Sequence, residues 1–266
     1  MTTAAKQLFD NKPIIGMVHL MALPQAPGFG GELDVIFERA LREASALEAA
    51  GVDALIVENF GDEPHQIGGL EAAPVAMMTS VLTRVVEAVS IPVGVNVQFN
   101  AWEQEMALAY ACGAAFIRVE VFVDTVVMAQ GLVYPCCAGL TRLRKELGAG
   151  VQIWADIQTK YTQNLVAQPL TQSAKDAVDA GADALIVTGA ATGAATPLDR
   201  VADVKSVTQL PVLVGSGTTI ENVNKVLEIA DGAIVGSALK EGGSAWNEVS
   251  LQASQSFMQA ARGARE

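Results

Sequence analysis

Apolar residues along this chain fall into two alternating patterns. Short runs of Val, Ile, Leu and Ala without polar alternation read as strands buried on both faces, as in a parallel sheet. Eight of them occur: Ile14–Val18, Ala54–Val57, Val93–Val97, Phe116–Val121, Val151–Ile157, Ala184–Val187, Val212–Val214 and Ala233–Val235. Between and after them, apolar positions repeat at helical spacing over Glu32–Ala50, Ala76–Val89, Trp102–Cys112, Leu140–Leu147, Gln172–Ala180, Leu198–Val207, Ile220–Ile229 and Trp246–Arg262. Pro92 and Pro211 stand at strand starts, where a missing N–H costs little. Gly51, Gly113 and Gly181 stand where the glycine that ends a helix belongs.

The second half of the chain echoes the first. A-G-V-D-A-L-I-V at 50–57 returns as A-G-A-D-A-L-I-V at 180–187, and I-P-V at 91–93 returns as L-P-V at 210–212. The echoes fall on the second and sixth strands, then on the third and seventh, as in an eightfold barrel made of two halves. The expected fold is α/β, a (β/α)8 or TIM barrel forming a single domain over residues 1–266. Residues 1–12 are its N-terminal lead-in and 244–266 its C-terminal helix. A dinucleotide-binding fold is excluded, because no G-x-G-x-x-G opens a helix after the first strand.

Composition narrows the function classes. With 266 residues the chain suits one barrel, which needs roughly 250, and 51% hydrophobic content supplies a large core. The formal net charge of -12 disfavours nucleic acid and docking to an anionic membrane. No uncharged stretch reaches the roughly 18 residues that a membrane span needs. Residues 1–12 lack the apolar core of a signal peptide. Cys112, Cys136 and Cys137 make neither a zinc spacing nor a disulfide framework, so reduced thiols and a cytoplasmic location are expected.

The strongest chemical signal lies between Leu210 and Lys240. There the seventh and eighth strands break into Gly215-Ser216-Gly217 and Gly236-Ser237, and each turn is expected to open into a helix. Unpaired N–H groups at two adjacent helix starts would form a cup for a phosphate, the place such barrels use for one. Thr218 adds a hydroxyl, while Gly189 and Gly193 of T-G-A-A-T-G extend the cup or close over it.

Active sites of such barrels lie at the C-terminal ends of the strands. Asp156, Lys160 and His19 are the candidate acid–base residues there. The alternatives are a structural ion pair for Asp156 and Lys160 and a polar cap for His19. An Asp156 bridged to Arg118 and shut off from the mouth would carry no catalysis. Arg118 and Glu120 share strand parity and are expected on one face, as a structural charge pair or as mouth residues. Asn96 closes the third strand. Glu58, Asn59 and Asp62 offer oxygen ligands for a divalent cation such as Mg²⁺, against the alternative of solvated loop residues, and no metal site is assigned. His65, in a glycine-bounded loop, is expected to be an exposed bystander.

Six segments together resemble the BtpA/SgcQ family: I-G-M-V-H-L-M-A-L-P (15–24), V-E-N-F-G-D (57–62), G-V-N-V (94–97), F-I-R-V (116–119), G-S-G-T-T-I-E-N-V (215–223) and V-G-S-A-L-K (235–240). The resemblance runs from about Lys12 to Asn247. It implies a barrel similar to phosphate-binding enzymes, in a family named for a photosystem I biogenesis factor and containing presumed nucleosidases or sugar-phosphate enzymes. The family pattern has histidines after the fourth strand and near the end of the fifth, where this chain carries Phe122, Gln158 and Tyr161.

Three functions follow as expectations. The first is an enzyme, of lyase, isomerase or nucleosidase-like type, acting on a small phosphorylated metabolite such as a sugar phosphate or phosphoribosyl compound. The second is a biogenesis or assembly factor on the same barrel, and the third a barrel that binds its ligand without turnover. A homo-oligomer is expected in each case.

Overall fold

In the computed structural model, which describes residues 8–265, each apolar run forms a fully buried parallel strand. They are β1 (Ile14–His19), β2 (Ala54–Glu58), β3 (Val93–Asn96), β4 (Phe116–Val119), β5 (Gln152–Asp156), β6 (Ala184–Val187), β7 (Val212–Val214) and β8 (Gly232–Val235). Pairing runs in chain order and closes β8 onto β1, with Ile15 opposite Ile234. The barrel is therefore the expected one. Of the lead-in, residues 1–7 lie outside the described residues.

Helices cover the outside: α1 (Leu33–Ala50), α2 (Ala72–Ala88), α3 (Trp102–Cys112), α4 (Cys137–Glu146), α5 (Leu170–Asp179), α6 (Leu198–Lys205), α7 (Val223–Ile229) and α8 (Leu251–Gly263). Helices α2 and α4 start earlier than the sequence pattern, at Ala72 and Cys137, and α7 and α8 start later. Residue Ile220 lies in a turn, where the Asn222 carboxamide accepts the Thr219 N–H and holds the chain out of the helix. Trp246 also stands outside its helix, because Ser250 caps α8 by accepting the Ala253 N–H. No helix among the described residues is long and apolar enough to cross a membrane.

Strand parity divides the core in two. Ile14, Val18, Leu55, Val57, Val95 and Val187 face the helices. Ile15, Met17, Ile56, Phe116, Trp154, Ile186, Leu213 and Ile234 fill the barrel. Phe116 and Trp154 stack at 3.6 Å in the interior. A side chain on Gly94 would overlap the Phe116 ring, so glycine is required there. Counting on by twos from the interior residues leads to His19, Glu58, Asn96, Arg118, Glu120, Asp156, Gly215 and Gly236. Parity thus assigns the mouth its residues.

The sequence echo has a physical cause. Asp53 accepts the Ile14 N–H at 2.7 Å, Asp183 the Ile153 N–H at 2.9 Å, and Asp231 the Val212 N–H at 2.9 Å. Each aspartate precedes an even-numbered strand and secures an N–H at the start of the strand before it. Arg265, Arg144 and Lys205 hold these carboxylates. At the corresponding place before β4 stands Ala115, which explains why the motif skips that strand.

One feature over the mouth was not legible in the strand pattern. Segments Val126–Met128 and Gly131–Val133 form a hairpin, joined by Gln163–Asn164 into a small antiparallel sheet. Val126 and Val133 pack on Phe99 and Val121, which seats the hairpin beside the ends of β3 and β4.

Asp183→Ala is expected to leave the Ile153 N–H without its acceptor and to destabilise the fold by about 1–3 kcal/mol. Arg144→Ala, which removes the partly buried cation and its bond to the Gly181 carbonyl, should cost less, about 1 kcal/mol or below. Urea denaturation of both variants checks the order, and equal losses would refute the role given to the carboxylate.

Candidate functional site

Loops at the C-terminal end of the barrel enclose two connected spaces. A narrow cleft of about 40 Å³ is lined by His19, Glu58, Gly193 and the turns Gly215–Thr218 and Gly236–Ser237. A wide chamber of about 690 Å³ lies beneath the hairpin, against His65, Phe99, Met128, Glu120, Asp156 and Tyr161. Phe60, Arg118, Lys160 and Thr192 line both. If one water needs about 10–15 Å³, the cleft has room for a group of phosphate size.

The two glycine turns are built differently from each other. After β7 the chain stays in a loop through Asn222, and after β8 it makes one 3-10 turn, Ser237–Leu239. The expected pair of helix starts is thus one short turn beside a loop. The Gly217, Thr218 and Ser237 N–H groups have no partner among the described residues. The Thr218 Oγ1, buried, has none either. Gly217 has φ of 70°, and any side chain on it would overlap the Ala194 carbonyl. That glycine lets the β6 loop pack on the β7 turn.

Not every predicted cup residue faces the cleft. Gly189 lies behind it, donating its N–H to the Ser216 Oγ at 2.8 Å. The Ser216 hydroxyl in turn donates to the Ala194 carbonyl at 3.2 Å. It ties loops together, and the Thr218 hydroxyl is the one left open. A Cβ on Gly236 would come within 3.2 Å of the His19 ring.

Arg118 and Asp156 form a two-point ion pair, Nε to Oδ1 at 3.3 Å and Nη2 to Oδ2 at 3.1 Å, with side chains 5% and 1% exposed. Thr159 donates to the same Oδ2 at 2.9 Å. Both Asp156 oxygens are therefore engaged, at the wall of the wide chamber. Burial opposes the charge on Arg118, but Asp156 and Glu58 more than offset it and raise its pKa. Lys160 has no ion-pair or hydrogen-bond partner among the described residues. Burial, then the charge of Arg118, lower its pKa.

His19 is buried and stacked on Phe60, ring centroids 4.3 Å apart. Its Nδ1 lies 2.9 Å from the Ala245 carbonyl, an acceptor only, so Nδ1 carries the proton and Nε2 is the open nitrogen of the neutral ring. Burial, then the charge of Lys240, hold its pKa down to about 3. Glu58 receives the Gln98 amide at 2.5 Å and is raised, chiefly by burial. Glu120 receives Asn96 Nδ2 at 2.8 Å and the Asn100 N–H at 3.1 Å, and burial raises it to about 7.

The divalent-cation grouping is not assembled. Asn59 Oδ1 accepts the Gln98 N–H, while Asp62 accepts the Leu23 N–H and the Asn59 amide. These bonds join the loops after β1, β2 and β3. Among the described residues no three His, Cys, Asp or Glu side chains converge as a metal site.

One residue was misplaced and one missed. His65 is half-buried against the wide chamber, with an unpartnered Nδ1 and a pKa lowered by burial to about 4, so it is no exposed bystander. Glu105, on α3, lies wholly buried and accepts the Val97 N–H at 3.1 Å. Burial, then Glu120, push its pKa well up. No local pattern in the sequence signals either. Of the positions where the family pattern has histidine, Phe122 is core, and the Gln158 amide turns to Gln168 and Ser173. Tyr161 lines the chamber and accepts the Thr192 N–H at 2.7 Å.

A pH test follows from the neutral His19. Unfolded, it takes a proton near 6.5; folded, only near 3. The unfolded chain then binds more protons between these values, so stability is full above about 6.5 and falls as the pH drops. Between pH 7 and pH 5 the wild type should lose about 2 kcal/mol more than His19→Gln. Equal losses in chemical denaturation would show that His19 is not held neutral.

A sequence profile described as the BtpA family matches residues 10–263. An uncharacterized protein of Thermococcus kodakarensis is 38% identical, over 97% of this chain and 98% of its own. The photosystem I biogenesis protein BtpA of Synechocystis is 38% identical over 88% of this chain and 82% of its own. Among solved structures, thiamine phosphate pyrophosphorylase from Pyrococcus furiosus superposes with a TM-score of 0.61 at 14% identity, covering 97% of this chain and 98% of that one, a likeness of fold alone. With its profile spanning nearly the whole barrel, the chain belongs to the BtpA family.

Proposed function

We propose that the chain is an enzyme acting on a small phosphorylated metabolite, a sugar phosphate or phosphoribosyl-type compound, held at the barrel mouth. One observation carries this reading. The unpartnered N–H groups of Gly217, Thr218 and Ser237, with the Thr218 hydroxyl, surround a cleft that Arg118 and Lys160 also line. Such donors favour an anion, and anchoring a non-reacting phosphate orients the rest of the molecule. From the cleft the substrate would extend past Arg118 into the wide chamber.

The residues then take distinct roles. Asp156 holds Arg118 in place and is not the base. His19, neutral, offers Nε2 to a substrate hydroxyl. Glu120, poised near pH 7, and Glu58 are the carboxyl groups for proton transfer. Lyase, isomerase or hydrolase chemistry is compatible with this set. We assign the expected self-association to the small sheet over the mouth, where Val127 and Leu132 pair side by side and are both exposed. The cytoplasmic location remains part of the same proposal.

The assembly-factor reading is kept because one relative carries the name of a photosystem I biogenesis protein. Titration calorimetry with inorganic phosphate and ribose 5-phosphate separates the two. Wild type is expected to bind both, and Gly236→Asp to bind at least tenfold more weakly, since it places a carboxylate beside His19 in the cleft. Gly236 has φ of -110°, outside the left-handed region, and circular dichroism checks that the variant is folded before its binding is read. No binding by the folded wild type would favour the assembly factor.

A further inference from the structure

Lys160 is the cation of the mouth with no anion of its own. Arg118 is bonded to Asp156, and buried Lys240 to Glu43 at 2.9 Å. Lys160 is bonded to nothing among the described residues, yet it lines both the cleft and the wide chamber. Its amine therefore stands where a molecule anchored by phosphate in the cleft would pass into the chamber. A lysine kept to bind phosphate should stay charged. Here burial and the neighbouring guanidinium both work against the charge, and Arg118 already supplies a fixed one. A lysine whose charge is opposed in this way, lining both spaces and bonded to no anion among the described residues, is placed to act as a nucleophile towards a carbonyl carbon.

We propose that the Lys160 amine forms a covalent imine with a phosphorylated aldehyde or ketone whose phosphate occupies the glycine-lined cleft. This rests on the phosphate-binding reading above and adds the carbonyl to the substrate class. In the step, nitrogen bonds to the carbonyl carbon and the carbon–oxygen bonds break in turn. The oxygen leaves as water, carrying two hydrogens equivalent to those of the amine, and no oxidant or reductant is needed. Glu120, on the same chamber, is the group to give a proton to the departing oxygen and recover it on hydrolysis. The protonated imine draws electrons from the adjacent carbon, which suits bond cleavage or proton transfer there.

Borohydride reduction tests the proposal, because it fixes an imine as a stable secondary amine. The full chain would be treated with glyceraldehyde 3-phosphate, dihydroxyacetone phosphate and ribose 5-phosphate, reduced, and read by intact mass and peptide mapping. At least one compound should give a single adduct on Lys160, at least tenfold above any other lysine and suppressed by excess inorganic phosphate. Lys160→Arg, which keeps the charge, and Lys160→Met should both lack it while folding normally by circular dichroism. Calorimetry with the same compounds runs in parallel. Binding without an adduct, or adducts spread evenly over surface lysines, overturns the imine and leaves the phosphate site standing. Neither binding nor adduct overturns both.

Discussion

The buried ion pair between Arg118 and Asp156 fixes the chemistry of this barrel's mouth. Each side chain alone would be a stranded charge in a nearly closed space, and removing one partner of such a pair costs about 3–5 kcal/mol. Together, with Thr159 on the second oxygen, they form a rigid bridge from β4 to β5. Its position at the border of the cleft and the chamber makes it the one fixed charge that a ligand in either space must meet. The other titratable groups adjust to it. His19 and Lys160 are pushed towards neutrality with Arg118 among the causes, while Glu58 and Glu120, raised by burial, are partly recharged by it.

Neutrality is a second theme of the mouth. The chain carries a net charge of -12, yet its buried carboxyl groups at Glu58, Glu105 and Glu120 all have raised pKa values, with burial as the leading cause. A phosphate in the proposed cleft would meet N–H donors and the Arg118 cation, beside Glu58, whose charge burial opposes.

Much of this was legible in the sequence, for reasons tied to particular residues. The barrel followed from apolar runs without alternation, and the echo at Asp53 and Asp183 proved to be a hydrogen-bonding device at strand starts. Their place at strand ends put His19, Glu58, Asn96 and Asp156 at the mouth, and period-two alternation put Arg118 and Glu120 on one face. What escaped was whatever depends on partners distant in the chain. For Asp156 an acid–base role and an ion pair both stood open, because nothing local decides whether Arg118 reaches both of its oxygens. Ser216 read as a phosphate ligand because its bonds run to Gly189 and Ala194 on another loop. His65 and the hairpin from Val126 to Val133 became mouth residues only through the closure of loops onto Phe99.

The most direct test of the central claim is a crystal structure of the protein with a phosphorylated ligand such as ribose 5-phosphate. The phosphate is expected within hydrogen-bond distance of the Gly217 and Ser237 N–H groups and the Thr218 hydroxyl, with the rest of the molecule running past Arg118 into the chamber. A phosphate seated elsewhere, with those donors still unpartnered, would contradict the account.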